Sequence, residues 1–261
     1  MKRTIYIFLF LVSVVVANAQ VTFQNNGAAD PSHTCYVFTN CTLHVDFETV
    51  IANATLVVKD GLVVEAGEKV TIPVGAMAKD LKGKHIYPAF IELYSDYGMP
   101  EVKATGNRRG APQMETNTKG AYGWNQAVKP EVEAFKLYTN NDKQADELRK
   151  LGFGLALTSQ KDGIVRGSGA LIALTNNREN ENIIMDKAAA FYSFKKGTSS
   201  QDYPSSLMGS IALLRQTYLD AEWYKTQPTT KVEYNISLEA FNNLQTLPQI
   251  FEVNNKLSAL R

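Results

Sequence analysis

Histidine and cysteine are scarce in this 261-residue chain, with three of one (His33, His44, His85) and two of the other (Cys35, Cys41). Zinc and related transition-metal sites are built mostly from these side chains. No two histidines stand at HxH or HExxH spacing, which excludes the common local zinc motifs. Charge of one sign is lacking too: 27 Lys and Arg against 26 Asp and Glu leave a net charge of +1. That is too little field to draw the chain onto nucleic acid or an anionic membrane. No apolar run after the N-terminus is long enough to cross a membrane, so no transmembrane segment is expected in the mature chain. What is present, 44% hydrophobic and 20% charged residues, is the profile of a foldable globular protein.

Lys2 and Arg3 precede a mostly apolar stretch at residues 5–16, and Ala17-Asn18-Ala19 follows as an A-x-A cleavage site. This is the pattern of a secretory signal peptide over residues 1–19. Its apolar run spans roughly 18 Å as a helix, short of a hydrocarbon core about 30 Å thick, which disfavours an uncleaved anchor. The mature chain is therefore expected to be exported to the periplasm or the extracellular space, where disulfides can form. In an extended strand, Cys35 and Cys41 lie about 20 Å apart, whereas a disulfide needs roughly 4.4 to 6.8 Å between Cα atoms. They pair only if Thr39-Asn40 reverses the chain, and are otherwise two free or buried thiols. Sequons at Asn40, Asn53 and Asn235 matter only in a glycosylating host.

From Tyr36 to Ile91 the pattern is short and β-like, with Asp60-Gly61 between two apolar runs as a hairpin signal. It reads as a small antiparallel sheet or half of a sandwich. Residues 85–94 are continuously apolar, as in a buried parallel strand. Residues 98–129 are rich in Gly, Asn, Thr and charge, and read as a mobile surface loop, or as a binding segment through Tyr122 and Trp124. Beyond it, a helix is expected at 141–151 with Gly152 as its stop, then strands at 153–158 and 170–174. A helix follows at 205–224 with Leu207, Ile211, Leu214 and Tyr218 on its apolar stripe, then one capped by Ser237, then a strand at 249–253. Helices alternating with strands indicate an α/β fold.

No nucleotide or nucleophile motif survives inspection. Arg166-Gly167-Ser168-Gly169 lacks the third glycine of a dinucleotide loop, Lys195-Lys196-Gly197-Thr198 lacks the upstream glycine of a P-loop, and no serine sits in GxSxG. Both glycine clusters read as turns. Tyr218, Trp223 and Tyr224 read as packed core, and His44 and His85 as hydrogen-bonded structural residues.

The stretch Asp80-Leu81-Lys82-Gly83-Lys84-His85-Ile86-Tyr87-Pro88-Ala89-Phe90-Ile91-Glu92-Leu93-Tyr94-Ser95-Asp96 resembles the first-strand signature of the amidohydrolase superfamily, D-x-x-G-K-x-x-x-P-G-[FL]-I-D-x-H-x-H, particularly its imidazolonepropionase-like members. The resemblance implies an N-terminal β-sandwich portion at 20–84, then a partial (β/α)8 TIM-like barrel at 85–261 with the long loop at 98–129. His85 to Arg261 falls well short of the about 250 residues of a full barrel. The missing C-terminal part of the same polypeptide is therefore the expected partner.

In the family, the two histidines of that signature bind one or two divalent metals that activate water for attack on a C–N bond. Here Tyr94 and Asp96 stand in their places, Glu92 replaces the preceding aspartate, and Glu252 falls near the position of a histidine on a later strand. Glu92, Tyr94, Asp96 and Glu252 thus form a degenerate site, with no catalytic residue or metal ligand assigned and no cofactor expected. The reading that follows is an exported amidohydrolase-like pseudoenzyme, a scaffold or interaction segment of a longer chain. Two alternatives stand beside it. One is a hydrolase of amide or cyclic amide bonds in which Glu92, Asp96 and Glu252 hold Mg²⁺, Mn²⁺ or Zn²⁺. The other is a sugar- or peptide-binding protein contacting its ligand through Arg108, Arg109, Tyr122 and Trp124.

Overall fold

The computed structural model describes residues 34–103, 112–228, 232–253, 255 and 256. The expected signal peptide and His33, Arg108 and Arg109 lie outside the described residues. The chain divides into two compact units, one ending at Pro88 and the other beginning at Ala89.

The first unit is a single five-stranded sheet built on β1 (Cys35–His44). On one side β1 pairs antiparallel with β2 (Val50–Lys59), which continues antiparallel into β3 (Leu62–Gly67). The turn between them holds Asp60 at φ 53° and Gly61 at φ 77°. Two left-handed positions in succession match a right-twisted hairpin, which is the physical content of the Asp-Gly signal. On its other side β1 pairs with β4 (Met77–Asp80) and β5 (His85–Ile86), and both run parallel to it. The sheet is therefore mixed, where the residue pattern suggested an antiparallel one. The cause is at Asn40, whose φ of 51° kinks β1 without reversing it. Residues before the kink pair with β4, those after it pair with β5, and the intervening turn is held by Leu81 N–H to the Thr39 carbonyl (2.9 Å) and Gly83 N–H to the Asn40 carbonyl (2.7 Å). Because Thr39-Asn40 does not reverse, Cys35 and Cys41 stay apart as free thiols. Cys41 is buried with Leu43, Ala54 and Leu56 in this unit's core and donates to the Ala54 carbonyl at 3.1 Å. His44 and His85 hydrogen-bond each other at 2.8 Å.

The apolar run at 85–94 is two strands. β5 belongs to the first unit, while β6 (Phe90–Ser95) is an edge strand of the second unit's sheet, with Phe90, Ile91 and Leu93 exposed. That sheet has the order β10–β9–β8–β7–β6, with β7 at Phe153–Thr158, β8 at Val165–Ala173, β9 at Ile183–Ser193 and β10 at Gln249–Glu252. The outer pairs β6–β7 and β9–β10 are parallel, as helical crossovers require. The inner pairs β7–β8 and β8–β9 are antiparallel, with no long helix between their strands. The α/β class holds, but the centre of the sheet is a meander and departs from the all-parallel winding of a βα barrel. Two sequence assignments account for the difference. The glycines at 167 and 169 lie inside β8 rather than in a turn before it, and β9 carries no hairpin or cap signal of its own.

The crossovers lie on the sheet's outer face. Between β6 and β7 come α1 (Ala134–Leu137) and α2 (Asp142–Lys150). Asn141 caps α2 by accepting from Gln144 N–H, and Gly152 at φ 94° ends it. α3 (Glu179–Asn182) is a single turn before β9. Between β9 and β10 run α4 (Leu207–Thr226) and α5 (Ile236–Leu244). α4 buries Leu213, Leu214, Thr217 and Ala221 against Phe241 and Leu244 of α5 and Ile164, Val165 and Tyr192 of the sheet. Its buried stripe is rotated from the expected one, leaving Leu207 and Trp223 exposed. The cap of α5 is Asn235, not Ser237. The described part of the 98–129 segment is docked rather than loose. The fully buried Gln201 donates to the carbonyls of Met114 (2.9 Å) and Trp124 (3.1 Å) and accepts from Gln126 N–H (2.7 Å).

Candidate functional site

Tyr94 stands on β6 and Glu252 on β10, the two opposite edges of the second sheet. Four interstrand steps of about 4.8 Å would part these edges by roughly 19 Å in a flat sheet. Yet the Tyr94 hydroxyl donates to Glu252 Oε2 at 2.8 Å. The sheet is therefore curled, and this pair closes across its concave face. Arg166, from the central strand β8, sits beneath the pair and is 4% exposed. Its Nη1 donates to the Tyr94 hydroxyl at 2.7 Å, its Nη2 meets Glu252 Oε2 at 2.7 Å, and its Nε donates to the Gly163 carbonyl at 3.2 Å. From β9, Ser193 Oγ donates to Glu252 Oε2 at 3.2 Å, and Lys195 Nζ meets Oε1 at 2.8 Å. Four side chains thus deliver hydrogen bonds to one carboxylate, a group with about four acceptor positions.

Burial would raise the Glu252 carboxyl from its ordinary 4.5, but Lys195, Tyr94 and Arg166 outweigh it and bring it to about 2. Burial and the neighbouring carboxylate raise the Tyr94 phenol against the opposing pull of Arg166, so the hydroxyl keeps its proton and acts as a donor. Tyr94's ring packs on Phe191, and Lys161 Nζ lies 4.5 Å from its centroid on the cation–π contact.

Of the four residues singled out from the sequence, Tyr94 and Glu252 meet directly. Glu92 faces the same side of β6 but turns back to accept from the Tyr94 backbone N–H at 3.1 Å. Asp96 lies beyond the strand, 65% exposed at its side chain and 3.6 Å from Lys161 Nζ. The residues sequence reasoning missed are Arg166, Ser193 and Lys195. A lone arginine preceding an apolar strand was the available signal, hidden by reading the glycines around it as a turn.

This donor set does not fit a divalent metal. Glu252 already faces Arg166 and Lys195, with three donors on Oε2 and one on Oε1, Glu92 accepts from the Tyr94 N–H, and no group of three or more His, Cys, Asp or Glu placed to hold a metal occurs among the described residues. Two like unit charges 4 Å apart repel by about 4 kcal/mol at an effective dielectric of 20, so a divalent ion would have to displace Arg166 and Lys195 before reaching Glu252.

An amidohydrolase from Thermotoga maritima superposes on 86% of this chain with a TM-score of 0.65 at 22% sequence identity. The chain has an amidohydrolase-like fold. It spans 60% of the length of the T. maritima amidohydrolase. Another amidohydrolase is 29% identical but matches only 23% of this chain and 15% of its own, with a TM-score of 0.22. A prolidase complexed with N-methylphosphonate-L-proline matches 48% of this chain and 26% of its own at 16% identity and a TM-score of 0.27. No protein-family model and no curated protein sequence matches the chain. In this amidohydrolase-like fold, β6 brings Tyr94 to the concave face, where Arg166 and Lys195 hold the Glu252 carboxylate.

Proposed function

We propose that this chain is a non-catalytic amidohydrolase-like segment of a longer exported protein, acting as a scaffold or interaction module. The observation that carries the reading is the engagement of Glu252 by Arg166, Lys195, Tyr94 and Ser193. A catalytic metal needs ligands with free lone pairs and an open position for water; here guanidinium and ammonium groups already pair with the carboxylate. In this reading the mixed sheet is a piece of a barrel and the first unit a piece of a sandwich, each completed by the remainder of the polypeptide. Export follows from the pattern of residues 1–19, and an intact mass beginning at Gln20 checks it.

Elemental analysis after dialysis, followed by turnover assays on amides and cyclic amides with added Zn²⁺, Mn²⁺ and Mg²⁺, tests the proposal. It expects no stoichiometric metal and no turnover. Metal-dependent hydrolysis abolished by Asp96→Asn would overturn it in favour of a carboxylate-metal hydrolase.

A further inference from the structure

A second place in the same unit has the makings of a binding site and shares no residue with the Glu252 network. Two adjoining cavities, of about 340 and 310 Å³, lie where the docked 112–129 segment meets α4 and α5. They share a wall that includes Tyr122, Gly123 and Ser237. Each is at the lower end of the range for small-molecule sites.

The second cavity is lined by aromatic rings that the fold does not bury. Trp124 is 51% exposed, Trp223 54% and Tyr122 40%. Trp124 stacks on Tyr203 at 6.1 Å between centroids, which fixes one face of its ring in place and leaves a rigid platform. The first cavity is polar. Glu131 accepts from Ser237 Oγ at 3.0 Å, which itself accepts from Gly123 N–H at 3.0 Å. Burial pushes the Glu131 carboxyl up. Ser199 lines the same cavity, but its Oγ is sealed from it and has no hydrogen-bond partner among the described residues. The cavity's one cation, Lys129, is committed to Asp162 and Thr198, which disfavours an anionic ligand.

We infer that this cleft binds a neutral saccharide, with Trp223, Trp124 and Tyr122 as platforms for the apolar faces of sugar rings and the carboxyls of Glu131 and Asp220 as partners of their hydroxyls. Amphipathic rings beside hydrogen-bonding side chains match a ligand whose ring faces are apolar and whose rim is polar.

Trp124 and Trp223 are the chain's only tryptophans, so intrinsic emission reports this cleft. The full chain is titrated with glucose, maltose, cellobiose and N,N′-diacetylchitobiose, with choline chloride and triglycine alongside, and calorimetry follows the same titrations. At least one saccharide is expected to give a saturable signal, weakened about tenfold by Trp223→Ala and by Glu131→Gln. Leu219→Ala, on an exposed position of α4 outside the cleft, is expected to leave it unchanged. No saccharide binding tighter than about 10 mM, binding of choline or triglycine alone, or saccharide binding indifferent to the Trp223 and Glu131 substitutions would each overturn the inference.

Discussion

Replacing Arg166 with methionine removes the one side chain that touches both edges of the curled sheet. Methionine fills most of the buried volume, so the loss is chiefly electrostatic. Three contacts disappear: the ion pair to Glu252, the hydrogen bond to the Tyr94 hydroxyl and the weaker one to the Gly163 carbonyl. Hydrogen bonds to charged groups contribute about 1.5–3 kcal/mol each, and breaking one partner of a buried pair costs about 3–5 kcal/mol. Lys195, Tyr94 and Ser193 still hold Glu252 in the variant, and water reaches the open side of that carboxylate, so the lower part of the range applies, about 2–3 kcal/mol.

Glu252 supplies an independent check through pH. Its fall from 4.5 to about 2 in the folded chain would correspond to about 3 kcal/mol at about 1.4 kcal/mol per tenfold change in proton affinity. Screening at the open side brings this nearer about 2 kcal/mol. The folded-state value is depressed, so this stability is fully present above the unfolded-state value, near pH 5. It is lost as the pH falls through about 2. Arg166→Met should therefore destabilise the second unit by about 2–3 kcal/mol at pH 7, with the difference from the parent shrinking between pH 5 and pH 2.5. Urea unfolding followed by tryptophan emission measures it, because both tryptophans lie in that unit. A loss below about 0.5 kcal/mol at pH 7, or a difference that does not change with acidification, would refute the reasoning.

Three further outcomes are expected. A Cβ at Gly167, which sits at φ 80°, would lie 1.8 Å from the Val132 carbonyl oxygen; Gly167→Ala should lower stability by more than about 2 kcal/mol, read from the same urea curves. Cys35 should react with a thiol reagent before Cys41, because Cys41 is buried and burial pushes its thiol up; a disulfide found by intact mass would contradict this. Tyr94→His with Asp96→His should add zinc affinity, measured by competition with a chromogenic chelator, but no turnover, because Arg166 and Lys195 still occupy the lone pairs of Glu252.

The parts of the fold legible in the sequence are those set by local chemistry. Asp60-Gly61 requires two left-handed positions and receives them; Asn141 and Gly152 bracket α2 because a cap and a stop act within one helical turn. What escaped the sequence depends on contacts distant along the chain. β9 pairs with β8 through register alone. The face α4 buries is chosen by α5 and the sheet rather than by its own apolar spacing. The same division runs through the site. Alternation along β6 places Glu92 and Tyr94 on one side, and resemblance placed Glu252 near them. Arg166 is visible only once Gly167 is seen as the point where the Val132 carbonyl approaches the strand, rather than as part of a turn.

The four residues around Glu252 make physical sense only as a set. Arg166 buried without Glu252 would be an uncompensated charge, which a fold tolerates poorly. Glu252 without its donors would be a desolvated carboxylate with a raised pKa. Tyr94 couples the two by donating to one and accepting from the other. A metal that ties strand ends together exerts its pull through charge and directional bonds, and so does this network. The arginine reaches from the central strand to both edges without a metal's demand for open coordination. Curvature of the sheet can therefore be held by side chains alone. An imidazole introduced beside Glu252 would leave Arg166 and Lys195 in place, and these would continue to oppose a divalent ion.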